Sequence, residues 1–140
     1  MLLLLPILTY DIWFYISHVM LHSRFLYAYH SIHHSSNPTN LQWMDTYTGH
    51  WLEGPFQLRS NSWELGSQGI GMFFPYFFFQ YRWVDTFLVL AFLNVRGMMR
   101  HDWRCAWLIG NHHLLHHKHP GYNYGEGWID SLCGTNLDAS

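Results

Sequence analysis

A chain of 140 residues has the length of one domain, and with 19% aromatic but only 11% charged residues, against roughly 25% charged in soluble domains, it has too little charge to cover a surface unless part of that surface faces lipid. Seven basic and nine acidic side chains leave a net charge of −2, which removes the long-range positive field that nucleic-acid binding needs. Two cysteines, Cys105 and Cys133, exclude a disulfide scaffold and lack the CxxC spacing of zinc sites, so the 12 histidines carry the chemistry.

Taken in order, residues 1–22 read as a membrane helix, since the basic n-region and small-residue cleavage site of a signal peptide are missing. Pro6 predicts that the regular part runs from Leu8 through His22. Near its end stands an HxxxH pair, His18 and His22, which share a helix face. Asp11, two turns before His18, is either an acceptor for a ligand's ring N–H or an interfacial carboxylate. An HxxHH box follows at His30, His33 and His34, and the turn chemistry of residues 35–40 stops its helix at His34 to Ser36. Residues 41–64 mix polar side chains with Trp43, Tyr47, Trp51 and Trp63, which suits the headgroup level of a bilayer as well as a soluble core. His50 stands alone there, and a lone histidine is more often structural than a ligand.

Residues 66–95 are hydrophobic apart from Arg82 and Asp85. They are longer than one crossing of roughly 20 residues and too short for two. Boxes that meet on one side of a bilayer require an even number of crossings between them, so a hairpin of short or partial-depth arms turning at Arg82 is expected. A buried soluble hairpin with a Phe-rich core is the alternative. Pro75 and the glycines at 66, 69 and 71 weaken the first arm as a regular helix. A second HxxHH box stands at His113, His116 and His117, closed off by Pro120 and Gly121. In a helix these three histidines project to one side, and an adjacent pair can divide between two ions rather than crowd one. The last element, Trp128 to Thr135, is a short amphipathic helix in which Asp130 serves either a box histidine or a helix cap. His119, next to Pro120, faces solvent.

The order HxxxH, HxxHH, a further histidine, HxxHH, Asn123-Tyr124-Gly125, then Asp130 to Gly134-Thr135 resembles the fatty acid hydroxylase superfamily, also called the sterol desaturase family. The likeness runs from Asp11 to Thr135 and is most specific after His113. It implies an all-α integral membrane domain with a histidine-lined di-metal site on the cytosolic side, in the endoplasmic reticulum if the source is eukaryotic. The implied enzyme is a non-heme di-iron oxygenase that hydroxylates, or alternatively desaturates, a lipid of fatty acyl, sphingoid or sterol type. It would use two Fe ions, for which Zn can substitute on purification, together with O₂ and electrons from a cytochrome b5 or ferredoxin-type donor. Carried over position by position, the implied ligands are His18, His22, His30, His33, His34, His101, His113, His116 and His117. The family pattern also implies further membrane helices ahead of the first box. Two positions depart from it: Gly97 stands four before His101, where many members have a histidine, and His101 lies closer to the last box. His112, at i, i+4 with His116, is a candidate tenth ligand in compensation.

Two other classes compete. A zinc hydrolase needs three protein ligands and a nearby base, which nine histidines exceed and for which Glu53 and Glu64 are poorly placed. A non-catalytic metal-binding membrane protein is the other, and Gly97 is the argument for it.

Overall fold

The computed structural model describes residues 3–48 and 68–137; His50, Glu53, Glu64, Trp51 and Trp63 lie outside the described residues. All regular structure among those described is helical: α1 (Leu4–Leu21), α2 (Tyr27–His30), α3 (Trp83–Arg100), α4 (Ala106–Ile109), α5 (His112–Lys118) and α6 (Gly127–Cys133), with 3-10 helices at His33–Ser35, Trp43–Tyr47, Gly69–Phe77 and Trp103–Cys105.

Helix α1 starts at Leu4 rather than Leu8, because Pro6 falls in the first turn, where no backbone N–H has an intrahelical acceptor to lose. Its few hydroxyls are absorbed by the helix itself: Thr9 Oγ1 donates to the Leu5 carbonyl at 3.0 Å and Ser17 Oγ to that of Trp13 at 2.8 Å. Leu4, Leu8, Ile12, Ile16 and Met20 form an exposed i, i+4 row, while Asp11, Ser17 and His18 are buried. At 18 residues and a mean hydropathy of 1.3, α1 is the one helix among the described residues long and apolar enough to cross a membrane. Helix α3 has the same length but carries Asp85, Arg96 and Arg100.

The 3-10 helix Gly69–Phe77 packs along α1, and the chain then turns back into α3. Met72 meets Val89 and Leu93 in the buried cluster that also receives Ile7 and Tyr10, and Tyr76 Oη donates to Thr86 Oγ1 at 2.7 Å. Helix α3 begins directly after Arg82, which pairs with Asp85 at 2.9 Å across the first turn, and continues to Arg100, five residues beyond the expected end. Pro75 lies inside the first arm, which takes the tighter 3-10 geometry. The second histidine box does not form one helix: α2 ends at His30, and His33 and His34 sit on a separate 3-10 turn.

The interior is unusual in kind. Among the described residues, five hydrophobic side chains are buried against thirteen polar or charged ones, seven of them histidines, while Phe77, Phe78, Trp83 and Trp107 are each at least 80% exposed. Apolar burial from water therefore does not hold the middle together.

Gly71 sets how closely the first arm lies on α1: a Cβ there would collide with the Trp13 side chain and stand 2.9 Å from the Thr9 carbonyl oxygen, whereas one on Gly69 would meet nothing. Gly71→Ala should therefore lower stability by about 1–3 kcal/mol. Gly69→Ala should leave it unchanged or slightly raised, as read from the thermal unfolding midpoints of the two variants in detergent.

Candidate metal centre

Nine histidines from five elements converge. His18 lies in the last turn of α1 and His22 caps it; His30 ends α2; His33 and His34 occupy the 3-10 turn; His101 caps α3; His113, His116 and His117 lie on α5. Their ring nitrogens form two groups: His18, His22, His30, His34 and His116 in one, and His33, His101, His113 and His117 in the other, with all ligand atoms of a group within 4.8 Å of one another. Both adjacent pairs are split. His34 and His116 go to the first group, His33 and His117 to the second.

Backbone carbonyls fix the tautomers. A carbonyl only accepts, so the short contacts of His18 Nδ1 to Tyr124 O (2.6 Å), His33 Nδ1 to Thr48 O (2.8 Å), His101 Nδ1 to Gly97 O (2.9 Å) and His116 Nδ1 to Tyr122 O (2.6 Å) place a proton on each Nδ1. In a neutral ring the Nε2 then carries a bare lone pair. Yet His33 Nε2 and His101 Nε2 stand 3.1 Å apart, and His101 Nε2 is 3.0 Å from His113 Nε2. Two acceptors that close repel, and a hydrogen bond between His33 and His101 would require one imidazolium. Burial works against that, pushing His33 down to about 4 despite its Thr48 bond, and pushing His101 well below the ordinary imidazole value.

A cation between them would resolve the contact, since both lone pairs could serve one ion. The same spacing, 3.1 Å, joins His18 to His30, His30 to His34 and His22 to His116. Both ring nitrogens of buried His117 lack any hydrogen-bond partner. Neutral imidazoles in these numbers fit a divalent transition metal in each group.

Behind the rings, Asp130 holds the frame. Its fully buried carboxylate accepts from the Tyr124 and Gly125 amides at 2.9 and 2.8 Å, from Thr135 Oγ1 at 2.7 Å and from His112 Nε2 at 3.0 Å. Burial alone would raise its pKa, but these bonds outweigh that and keep it below the usual carboxylate range. Asp130 lies inside α6 and caps no helix; it pins the loop whose Tyr122 and Tyr124 carbonyls orient His116 and His18. Asn123 takes a left-handed φ of +59°, which asparagine tolerates, and joins α5 to the chain end through His112 O and the Leu137 amide. Gly125 lies so close to Tyr15 that a Cβ would stand 3.1 Å from its side chain.

Two sequence expectations change. His112 belongs to neither histidine group, its Nε2 being turned to Asp130. Asp11 serves no ring and lies at no exposed boundary; it is buried and paired with Arg96, which also reaches Glu126 at 3.0 Å, and Glu126 pairs with Arg100. The residue Gly97 contributes is its carbonyl, to His101. Arg96, Arg100 and Glu126 were not singled out by sequence; the only available signal was two arginines one turn apart at the end of an apolar helix. His119 is exposed, as expected.

One cavity adjoins the centre and a larger one shares part of its wall. One, of about 40 Å³, is lined by Tyr10, Gln68, Asn94 and Arg96 and reaches His101 and His113. The other, of about 320 Å³, lies between the Gly69–Phe77 arm and α3, is walled by Ile70, Met72, Phe73 and Leu90, and shares Tyr10, Leu93 and Asn94 with the first.

Comparison with known proteins gives one family match: the family model described as fatty acid hydroxylase aligns with residues 3–135. No curated protein and no solved structure matches the chain.

Because Asp130 acts through a loop that orients two rings of the five-histidine group, Asp130→Ala should weaken metal binding about 10–100-fold, measured by competition with a chelator. The metal-free fold should depend on pH in a set direction. Burial holds His33 and His116 at about 4, below the unfolded value of about 6.5, so the unfolded chain takes up protons first as pH falls. Stability should be greatest above about pH 6.5 and fall steadily toward about pH 4, as read from denaturant midpoints of chelator-treated protein.

Proposed function

From its membership of the fatty acid hydroxylase family, to which the chain belongs over residues 3–135, we propose that this protein is a membrane-bound, O₂-dependent lipid hydroxylase with one iron ion in each histidine group. The observation that carries the reading is the approach of the His33 and His101 Nε2 lone pairs to 3.1 Å while both rings keep their proton on Nδ1. Bound iron would supply the reductive O₂ chemistry that cleaves an unactivated C–H bond, which no side chain can do.

The chain's own residues hold, exclude and orient. Carbonyl tethers from Tyr124, Thr48, Gly97 and Tyr122 keep four rings aimed without adding negative charge, so the metal charge is undiminished. Burial of His101, His113, His116 and His117 keeps bulk water from the centre. The 320 Å³ apolar cavity suits an alkyl chain that enters from the bilayer, and it shares Tyr10, Leu93 and Asn94 with the smaller cavity that reaches His101 and His113. The exposed apolar row on α1 supports a helix standing in lipid, and on this reading the protein is integral to a membrane. Electrons come from a separate cytochrome b5 or ferredoxin-type protein.

Protein purified with its native metals should contain about two irons per chain and, given lipid, reductant and O₂, form a hydroxylated lipid. His33→Ala and His116→Ala should reduce product at least ~100-fold and lower the metal content, while His119→Ala changes neither. One zinc per chain, or metal without an O₂-dependent product, would overturn the reading.

A further inference from the structure

Gln68 opens the arm Gly69–Phe77, is 2% exposed, and lines the smaller cavity beside His101 and His113. Its side-chain amide nitrogen is buried and has no hydrogen-bond partner. A buried N–H left unspent is costly, so such a donor on a cavity wall marks a place where a ligand acceptor recovers the loss. The neighbouring charges indicate which acceptor. Arg96 and Arg100 line the same cavity, but Arg96 is engaged by Asp11 and Glu126, and Arg100 by Glu126, so two guanidinium groups face two carboxylates and the wall is formally neutral.

We propose that Gln68 binds a neutral oxygen of the substrate, an acyl carbonyl, through its side-chain amide and so sets which carbon of the attached chain reaches the histidines. This rests on the lipid reading above and narrows it: the ligand is an alkyl chain bearing an uncharged carbonyl, with the alkyl part in the apolar cavity walled by Ile70, Met72, Phe73 and Leu90. Gln68 is a positioning residue and takes no part in bond cleavage.

The test is direct binding of radiolabelled methyl palmitate, hexadecane and palmitate to the detergent-solubilised, metal-loaded full chain. The ester should bind ~10-fold tighter than the alkane, and also tighter than the carboxylate. Gln68→Met, similar in length but without the donor, should erase the preference for ester over alkane while hexadecane affinity and metal content stay at wild-type values. Gln68→Glu, which replaces the donor with acceptors, should disfavour the ester, and it serves as the second variant if the methionine form does not fold. Equal binding of ester and alkane by the wild type, tightest binding of palmitate, or a preference that survives either substitution overturns the assignment. An ester preference that depends on Gln68 in a protein forming no O₂-dependent product would leave this assignment standing and overturn the proposed reaction. Product formation without the preference would do the reverse.

Discussion

Nitrogen lone pairs pointed at one another are the constraint under which this molecule is built. A buried neutral imidazole is ordinarily content when one nitrogen donates and the other accepts. Here the donors of His33 and His101 are spent on backbone carbonyls behind the rings, and their acceptors are left 3.1 Å apart, facing a shared interior. Such an interior favours a positive charge at its centre. Two local structures feed neighbouring histidines to the two groups: the single helix α5 at His116 and His117, and a separate 3-10 turn after the end of α2 at His33 and His34.

The second layer shows how a short chain holds so demanding an arrangement. One carboxylate, Asp130, fixes two consecutive amides, and the carbonyls flanking them on the same loop hold rings on α1 and α5. The Asp11, Arg96, Glu126 and Arg100 chain binds α1 to α3 and to the start of α6 by charge. Burying ions in this way is expensive and gives little net stability, but it fixes relative position, which a centre sensitive to tenths of an ångström requires.

Spacing made part of this legible. The HxxxH and HxxHH patterns identified eight of the nine converging histidines, and the division of adjacent histidines between two groups follows from the angle between neighbouring residues on a helix or 3-10 turn. His101 was not legible from spacing, since a single histidine after an apolar helix has no periodic partner, and it entered through the family pattern. Long-range pairings were hidden for a different reason. Asp11 lies two turns before His18 and so invited a local reading, but its true partner is Arg96, far along the chain, and sequence distance carries no information on that choice. Likewise, His112 was weighed as a ligand because it shares a face with His116, and it turned out to face the carboxylate behind the loop. Pro6 misled on the start of α1 because the same residue that breaks a helix interior is neutral in its first turn.

The contact between His22 and His116, 94 positions apart, has a bearing on how the chain finds its shape. A metal ion shared by those two rings closes a loop of that span, much as a covalent bridge would, and the entropy removed from the disordered polymer grows with the length enclosed. Coordination bonds of this kind would add to the fold a stability that its small apolar interior supplies only in part.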